Sequence, residues 1–122
     1  MMRLTVVVRL CTCVVSVPAV INDSRVVDER SVVIGNSVSL HCPVSGVPQP
    51  TVHWLRDGQL ISSVDHPNVR VDNAGHTLHV QNMQLVDIGA YTCLASNVAG
   101  NDSKQFVLNI LGQLLILHLI HL

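Results

Sequence analysis

The sequence has few charged residues. Only 12% of its 122 residues are Asp, Glu, Lys or Arg, and the formal net charge is -1. A protein that binds nucleic acid carries a basic face, which this balance does not supply. Nucleic acid is therefore excluded as an expected partner.

Aromatic residues are almost absent, with one Trp, one Tyr and one Phe in the chain. The single tyrosine, Tyr91, lies in "DIGAYTC" (87–93), two residues before a cysteine. A chain of 122 residues has room for one domain, since domains most often contain about 100 to 150 residues. Because so few aromatic rings are available for that core, the position of each ring in the sequence indicates where the core is built.

No apolar run is long enough to span a membrane. The last segment, "LGQLLILHLIHL" (111–122), is apolar for a dozen residues and contains His118 and His121. A spanning helix needs about 20 apolar residues. We therefore predict no membrane span and interpret residues 112–122 as an apolar tail at a fragment end.

Residues 1–19 resemble a secretory signal peptide, with a basic start at Arg3, an apolar stretch and a small residue at Ala19. Arg9 argues against this interpretation because a charge inside a membrane-inserting stretch is costly. The alternative is an upstream extension from a larger protein or an imperfect gene model. "VPAVI" (17–21) also fits a first strand.

The four cysteines form two unlike groups. Cys11 and Cys13 lie in the N-terminal apolar run, too close together in an extended chain for an easy mutual bond. Cys42 and Cys93 lie far apart in patterned sequence. Only the second pair is predicted to be structural.

Short stretches of alternating apolar and polar residues recur between about residues 31 and 111, separated by turn residues. The pattern places Leu40 and Leu78 on inward faces. The stronger strands are predicted at 37–43, 51–58, 77–82, 90–96 and 104–110, and weaker ones at 31–34, 59–61 and 69–71. Seven or eight short strands without helical periodicity predict an all-β sandwich of two antiparallel sheets.

Cys42 and Cys93 both point inward from different strands, and Trp54 lies 12 residues after the first cysteine. This is the immunoglobulin spacing of Cys, Trp and Cys. At its position two residues before Cys93, the Tyr91 ring enters the core and its hydroxyl can bond to the backbone at the preceding corner. Tyr91 is therefore predicted to fix a strand crossing.

"GVPQPTVHWLRDG" (46–58), "TLHV" (77–80) and "DIGAYTCLASNVAGND" (87–102) resemble intermediate-set (I-set) immunoglobulin domains. The resemblance covers about residues 18–111, with the domain assigned to residues 20–111. "YTCLASNVAGNDSKQFVLNI" is most similar to hemicentin-type repeats, which belong to tandem arrays of the extracellular matrix.

The resemblance implies a disulfide between Cys42 and Cys93, with Trp54 against it. Such a bond would stabilise the fold by about 4 kcal/mol and requires an oxidising compartment. The resemblance also implies an ion pair between Arg70 and Asp87 at the bottom of the sandwich. The alternative is a solvated Arg and an Asp that caps its own turn.

Seven histidines raise the question of a metal site. His76 and His79 are three residues apart, so a strand sends them to opposite faces. His41 and His79 point outward on strands expected to be neighbours, but no carboxylate or Cys is placed to complete four ligands. We predict no metal site and no cofactor.

Two "NDS" sequons place candidate N-glycosylation sites at Asn22 and Asn101. Asn101 follows a predicted hairpin turn and is expected to be exposed. No nucleophile elbow is present and the acids are scattered on turns, so we predict no enzyme activity and no small-molecule substrate.

The predicted function is a non-catalytic extracellular module, one immunoglobulin repeat of a hemicentin-like matrix or cell-adhesion protein. Its partners would be matrix or cell-surface proteins, including a second copy or neighbouring immunoglobulin domains. One alternative is a free-standing secreted or receptor-derived domain that acts as a soluble ligand or recognition protein. Another is an intracellular muscle-type domain with reduced cysteines.

Overall fold

The computed structural model describes residues 15–62 and 66–112. Most of the predicted leader lies outside these residues, together with Cys11 and Cys13. His118, His121 and the tail beyond Gly112 also lie outside them.

The described residues form ten strands and one 3-10 helix. In chain order the strands are β1 Val17–Ile21, β2 Asp28–Val32, β3 Val38–His41, β4 Val44–Val47, β5 Thr51–Arg56, β6 Gln59–Leu60, β7 Val69–Asp72, β8 Thr77–Val80, β9 Gly89–Asn97 and β10 Gly100–Ile110. The 3-10 helix, Leu85–Asp87, lies between β8 and β9.

The strands form a sandwich, which confirms the predicted all-β immunoglobulin-like class. A five-stranded sheet has the order β2-β10-β9-β5-β6, and a three-stranded sheet has the order β3-β8-β7. β2 and β10 are parallel, and the other neighbouring strands in these two sheets are antiparallel. The core lies between the sheets, because alternate residues of β9 and β10 are buried and pack with buried Leu40 and Leu78 of the three-stranded sheet.

β1 and β4 form an additional two-stranded pair. Ala19 and Ile21 of β1 are buried in the core, so a domain boundary between residues 19 and 20 would cut a strand that the fold uses. The interpretation of "VPAVI" as a first strand is confirmed. β4 was not predicted, because Gly46 interrupts its short apolar pattern.

Two side chains of β10 hold the crossover from β1 to β2. An Asp102 carboxylate oxygen accepts a hydrogen bond from the backbone N–H of Ile21 at 2.8 Å. Lys104 Nζ donates to the backbone carbonyls of Asp23 and Val26 at 3.0 and 2.9 Å. Lys104 is only 7% exposed, so these carbonyls replace much of the water that an ammonium group requires.

A disulfide joins Cys42, directly after β3, to Cys93 in β9, as predicted. Trp54 lies opposite Cys93 in the ladder between β5 and β9. The Trp54 indole N–H donates to the carbonyl of Gly75 at 2.7 Å. Gly75 has φ +91°, and a Cβ there would lie 3.1 Å from the carbonyl oxygen of Val52, so a glycine is required beside the indole.

Tyr91 is fully buried in β9, and its hydroxyl donates to the carbonyl of Asp87 at 2.7 Å. This is the predicted bond from the ring to the corner before the strand. Burial raises the pKa of Tyr91 to about 12, although nearby Arg56 acts in the opposite direction.

Candidate protein-binding surface

The predicted ion pair between Arg70 and Asp87 is wrong. Arg70 is 60% exposed and its Nε lies 3.6 Å from a carboxylate oxygen of Asp72 instead. Asp87 is 2% exposed and accepts hydrogen bonds from Asn68 Nδ2 at 3.0 Å and the Gln84 backbone N–H at 2.9 Å. The partner of Asp87 thus lies two residues before the predicted one.

Arg56 is a structural residue that sequence reasoning missed. Its guanidinium lies over the Tyr91 ring, with the central carbon 5.4 Å from the ring centroid. Arg56 Nη2 also donates to the carbonyls of Val86 and Ile88, which flank Asp87. The side chain therefore holds the 3-10 helix against the end of β5, and the "WLRDG" turn pattern gave no signal of this role.

On the outer surface of the three-stranded sheet, here called the three-strand face, the polar side chains form hydrogen bonds with one another. Ser39 Oγ lies 2.7 Å from His79 Nδ1, and His79 Nε2 lies 3.1 Å from Asp72 Oδ1. His41 Nδ1 lies 3.2 Å from Thr77 Oγ1 on the same face. His41 and His79 thus each have their own hydrogen-bond partners within the protein.

The order Ser39, His79, Asp72 is that of a hydroxyl nucleophile, a base and an acid. Acyl transfer also needs preorganised donors in a water-excluded site, whereas the Asp72 side chain is 47% exposed on an open sheet. Within residues 15–62 and 66–112, no group of three or more His, Cys, Asp or Glu side chains could hold a metal ion. We therefore interpret the hydrogen bonds from Ser39 through His79 to Asp72 as structural contacts that fix the side chains of the three-strand face.

The outer surface of the five-stranded sheet, here called the five-strand face, has a different composition. Its centre is a grid of side chains that point away from the buried row of Trp54 and Cys93. The grid consists of Thr51, His53 and Leu55 of β5, Thr92, Leu94 and Ser96 of β9, and Ser103 and Gln105 of β10. None of these side chains carries a formal charge when the histidine is neutral.

Few hydrogen bonds link the members of this grid. Thr51 Oγ1 lies 3.3 Å from Ser96 Oγ and 3.4 Å from the Ser96 carbonyl. Elsewhere on the grid, the described residues form no side-chain hydrogen bond to another part of the protein. Its polar groups are therefore free to bond to a partner.

Both ends of the sandwich expose apolar side chains. At one end, Val17 pairs with Val47, and the nearby turn exposes 85% of Val98. Asn97 Nδ2 connects these segments by donating to the carbonyls of Val17 and Pro48 at 2.8 and 3.0 Å. At the other end, the exposed apolar residues are Val33, Ile34, Leu85, Val86 and Leu111.

The predicted glycosylation sites are both on the surface. Asn22 lies in the crossover after β1, and Asn101 is the second residue of β10, opposite Ser96. Both asparagines are exposed.

No helix in the described part of the chain is long and apolar enough to cross a membrane.

The family model "Immunoglobulin I-set domain" matches residues 24–110, which include the disulfide, the indole and the buried tyrosine. The chain belongs to the immunoglobulin I-set domain family. The family assignment made from the sequence motifs is thereby confirmed.

The I-set domain is similar to a segment of hemicentin-1 of Mus musculus, at 38% identity over 79% of this chain and 2% of the relative. It is also 38% identical to neural cell adhesion molecule 1 of Bos taurus over 61% of this chain and 9% of that protein. The predicted similarity to hemicentin-type repeats is confirmed. The chain spans only about 2% of the length of the hemicentins that it matches.

Among solved structures, the titin M3 domain superposes with a TM-score of 0.66 at 29% identity. The alignment covers 77% of this chain and 97% of the titin domain. The described sandwich thus corresponds to nearly the whole of that titin domain.

Proposed function

We propose that this I-set domain is a non-catalytic extracellular protein-binding module, one repeat of a hemicentin-like matrix or cell-adhesion protein. The observation that carries this proposal is the uncharged centre of the five-strand face. Protein interfaces are depleted of charged residues at their centre, where buried charges would lose water. The grid around Leu94 meets this condition.

The size of the face favours weak contacts that act together. With strands about 5 Å apart and a rise of about 3.3 Å per residue, the grid covers about 250 Å² in projection. A standard interface buries about 800 Å² on each partner. One module therefore binds weakly, and the affinity comes from several modules that bind at the same time.

The apolar ends support an array. Exposed Val17, Val47 and Val98 at one end, and Ile34 and Leu111 at the other, would each be covered by a neighbouring module in a tandem chain. Exposed apolar patches of this kind mark contact sites in soluble proteins. This feature favours an array over a free-standing soluble domain.

The disulfide supports the extracellular location. Disulfides persist in secreted and cell-surface proteins, whereas thiols in the cytosol are kept reduced. We expect the chain in the extracellular fraction of the tissue that makes it, with Cys42 and Cys93 protected from alkylation. Recovery from the cytosol with both thiols alkylated would contradict this location.

The binding test compares one substitution on the two outer faces. The probe is a fluorescent bead that carries many copies of the chain, offered to a surface of the same chain and to surfaces of immunoglobulin-domain ectodomains. We expect His53→Asp, on the five-strand face, to lower bead capture at least tenfold. His41→Asp, on the three-strand face, is the matched control and should leave capture unchanged. Equal capture by both variants would contradict the proposed face.

A further inference from the structure

The fold brings the two "NDS" sequons together, although they are 79 positions apart in sequence. The backbone N–H of Ile21, which precedes Asn22, donates to the Asp102 carboxylate at 2.8 Å. Lys104 Nζ donates to the carbonyl of Asp23 at 3.0 Å. Since consecutive Cα atoms are about 3.8 Å apart, the Cα atoms of Asn22 and Asn101 lie within about 15 Å of each other.

Both asparagine side chains are available for modification. Asn22 and Asn101 are exposed, and within the described residues neither carboxamide has a hydrogen-bond partner. Asn97 and Asn68 differ, because their amides bind backbone carbonyls or the buried Asp87. Asn109 is also exposed on β10, but it lies outside any sequon.

We propose that Asn22 and Asn101 both carry N-linked oligosaccharides, which form one glycan patch beside the contact between β1 and β10. This inference depends on the proposed extracellular function, since the modification occurs in the secretory pathway. The patch is a property of the folded chain, because the two sites meet only after β1 docks on β10.

The donor is a lipid-linked oligosaccharide diphosphate, used by a membrane-bound transferase. The carboxamide nitrogen forms a bond to the anomeric carbon of the first sugar, and the bond from that carbon to the diphosphate oxygen breaks. The lipid diphosphate leaves with the electron pair, and a base of the transferase takes one amide proton. No oxidant or reductant is needed.

The patch would restrict the five-strand face. Asn101 lies opposite Ser96, which lies opposite Thr51, so this row is next to the sugar. The rows of His53 with Leu94 and of Leu55 with Thr92 lie progressively farther away. A protein partner would therefore approach from the side of Leu55 and β6.

The test expresses the full chain behind a heterologous signal sequence in mammalian cells, so that entry into the secretory pathway does not depend on residues 1–19. Medium and cell lysate are both analysed. Peptide-N-glycosidase digestion in ¹⁸O water converts each glycosylated Asn to a labelled Asp, which mass spectrometry locates. We expect label at both positions, with the doubly glycosylated chain as the main species.

Asn22→Gln and Asn101→Gln should each remove one glycan, whereas Ser24→Thr and Ser103→Thr should keep both because Thr preserves the sequon. Asn109→Gln is the matched control on β10 and should change nothing. Label at one position only, or at neither, would overturn the shared patch. An exported, disulfide-bonded chain without sugar would overturn this inference alone, whereas a cytosolic natural chain with reduced thiols would overturn the proposed function.

Discussion

The two outer faces of the sandwich differ in what their polar groups bind. On the three-strand face, Ser39, His79, Asp72 and Arg70 are linked in sequence by hydrogen bonds and ion pairs. On the grid of the five-strand face, the only side-chain hydrogen bonds among the described residues are those of Thr51 with the hydroxyl and carbonyl of Ser96. One face therefore has polar side chains that are hydrogen-bonded to each other, and the other has polar side chains that are mostly available to a partner.

This difference indicates on which face a partner can bind with the smaller loss of hydration and of existing contacts. A partner on the three-strand face would bury Arg70 and Asp72 and compete with their existing contacts. A partner on the centre of the five-strand face would displace water from hydroxyl, amide, imidazole and apolar groups, which carry no formal charge when His53 is neutral.

The largest expected effect comes from removing the bond that holds the two sheets back to back. In a background with Cys11→Ser and Cys13→Ser, the pair Cys42→Ala with Cys93→Ala opens a link between residues 51 positions apart. We expect the free energy of unfolding to fall by about 4 kcal/mol. Urea unfolding followed by the fluorescence of Trp54, the sole tryptophan, measures the change. An unchanged midpoint would show that the faces stay together without the disulfide.

The next effect tests the end of the sandwich where the two sheets meet. Asp87→Ala removes a buried acceptor and leaves the part-buried donors of Asn68 and Gln84 without it, and should cost about 3 kcal/mol. Asn68→Ala should cost about 1.5 kcal/mol, since it removes one of these bonds. Arg70→Ala is the matched control two residues away and should cost less than about 0.5 kcal/mol. A larger loss for Arg70→Ala than for Asn68→Ala, in urea unfolding, would restore the rejected ion pair.

A smaller effect depends on pH. The fold favours the neutral phenol of Tyr91, because burial raises its pKa to about 12 from 10.0. Its contribution to stability is therefore complete below about pH 10 and declines as the pH rises toward 12. Since Tyr91 is the only tyrosine, phenolate absorbance reports on it alone. Tyr91→Phe should cost about 1 kcal/mol at neutral pH and remove this alkaline component. Appearance of native phenolate near pH 10 would contradict the predicted burial.

The smallest effects are expected on the outer faces. Asp72→Ala removes the acceptor of His79 and the ion partner of Arg70, but all three groups are partly exposed. We expect a loss below about 1 kcal/mol that shrinks in high salt. Thr51→Ala on the five-strand face should cost less and show no salt dependence. The reverse order, measured by thermal unfolding at low and high salt, would mean that the face described as open is the more strongly linked one.

The sequence predicted those parts of the fold that a local pattern encodes. Alternation placed Leu40, Leu78 and Tyr91 in the core, because side chains of a strand point to opposite sides in turn. The same rule explains the error at Arg70. Asn68 and Arg70 are two positions apart and share a side of the chain, so the pattern alone does not tell which of them reaches Asp87.

The remaining structural residues act over distances that no local pattern encodes. Lys104 binds carbonyls 78 and 81 positions earlier, Asp102 binds Ile21, and Arg56 binds the turn around Asp87. Each uses a long or charged side chain to satisfy a remote backbone group. The polar outer sheet faces and the edge strands were expected to bind partners, but the sequence did not predict which outer face is open, since that requires the register of β5, β9 and β10.

The central claim is that a protein partner covers the five-strand face and leaves the three-strand face in water. Hydroxyl-radical footprinting tests it directly, by comparing side-chain oxidation in free chain with that in chain captured on the ectodomain surface that binds it. Leu94, Leu55 and His53 should become protected, while His41 and His79 keep their oxidation rates. Protection of His41 and His79 with unchanged oxidation of Leu94 would contradict the claim.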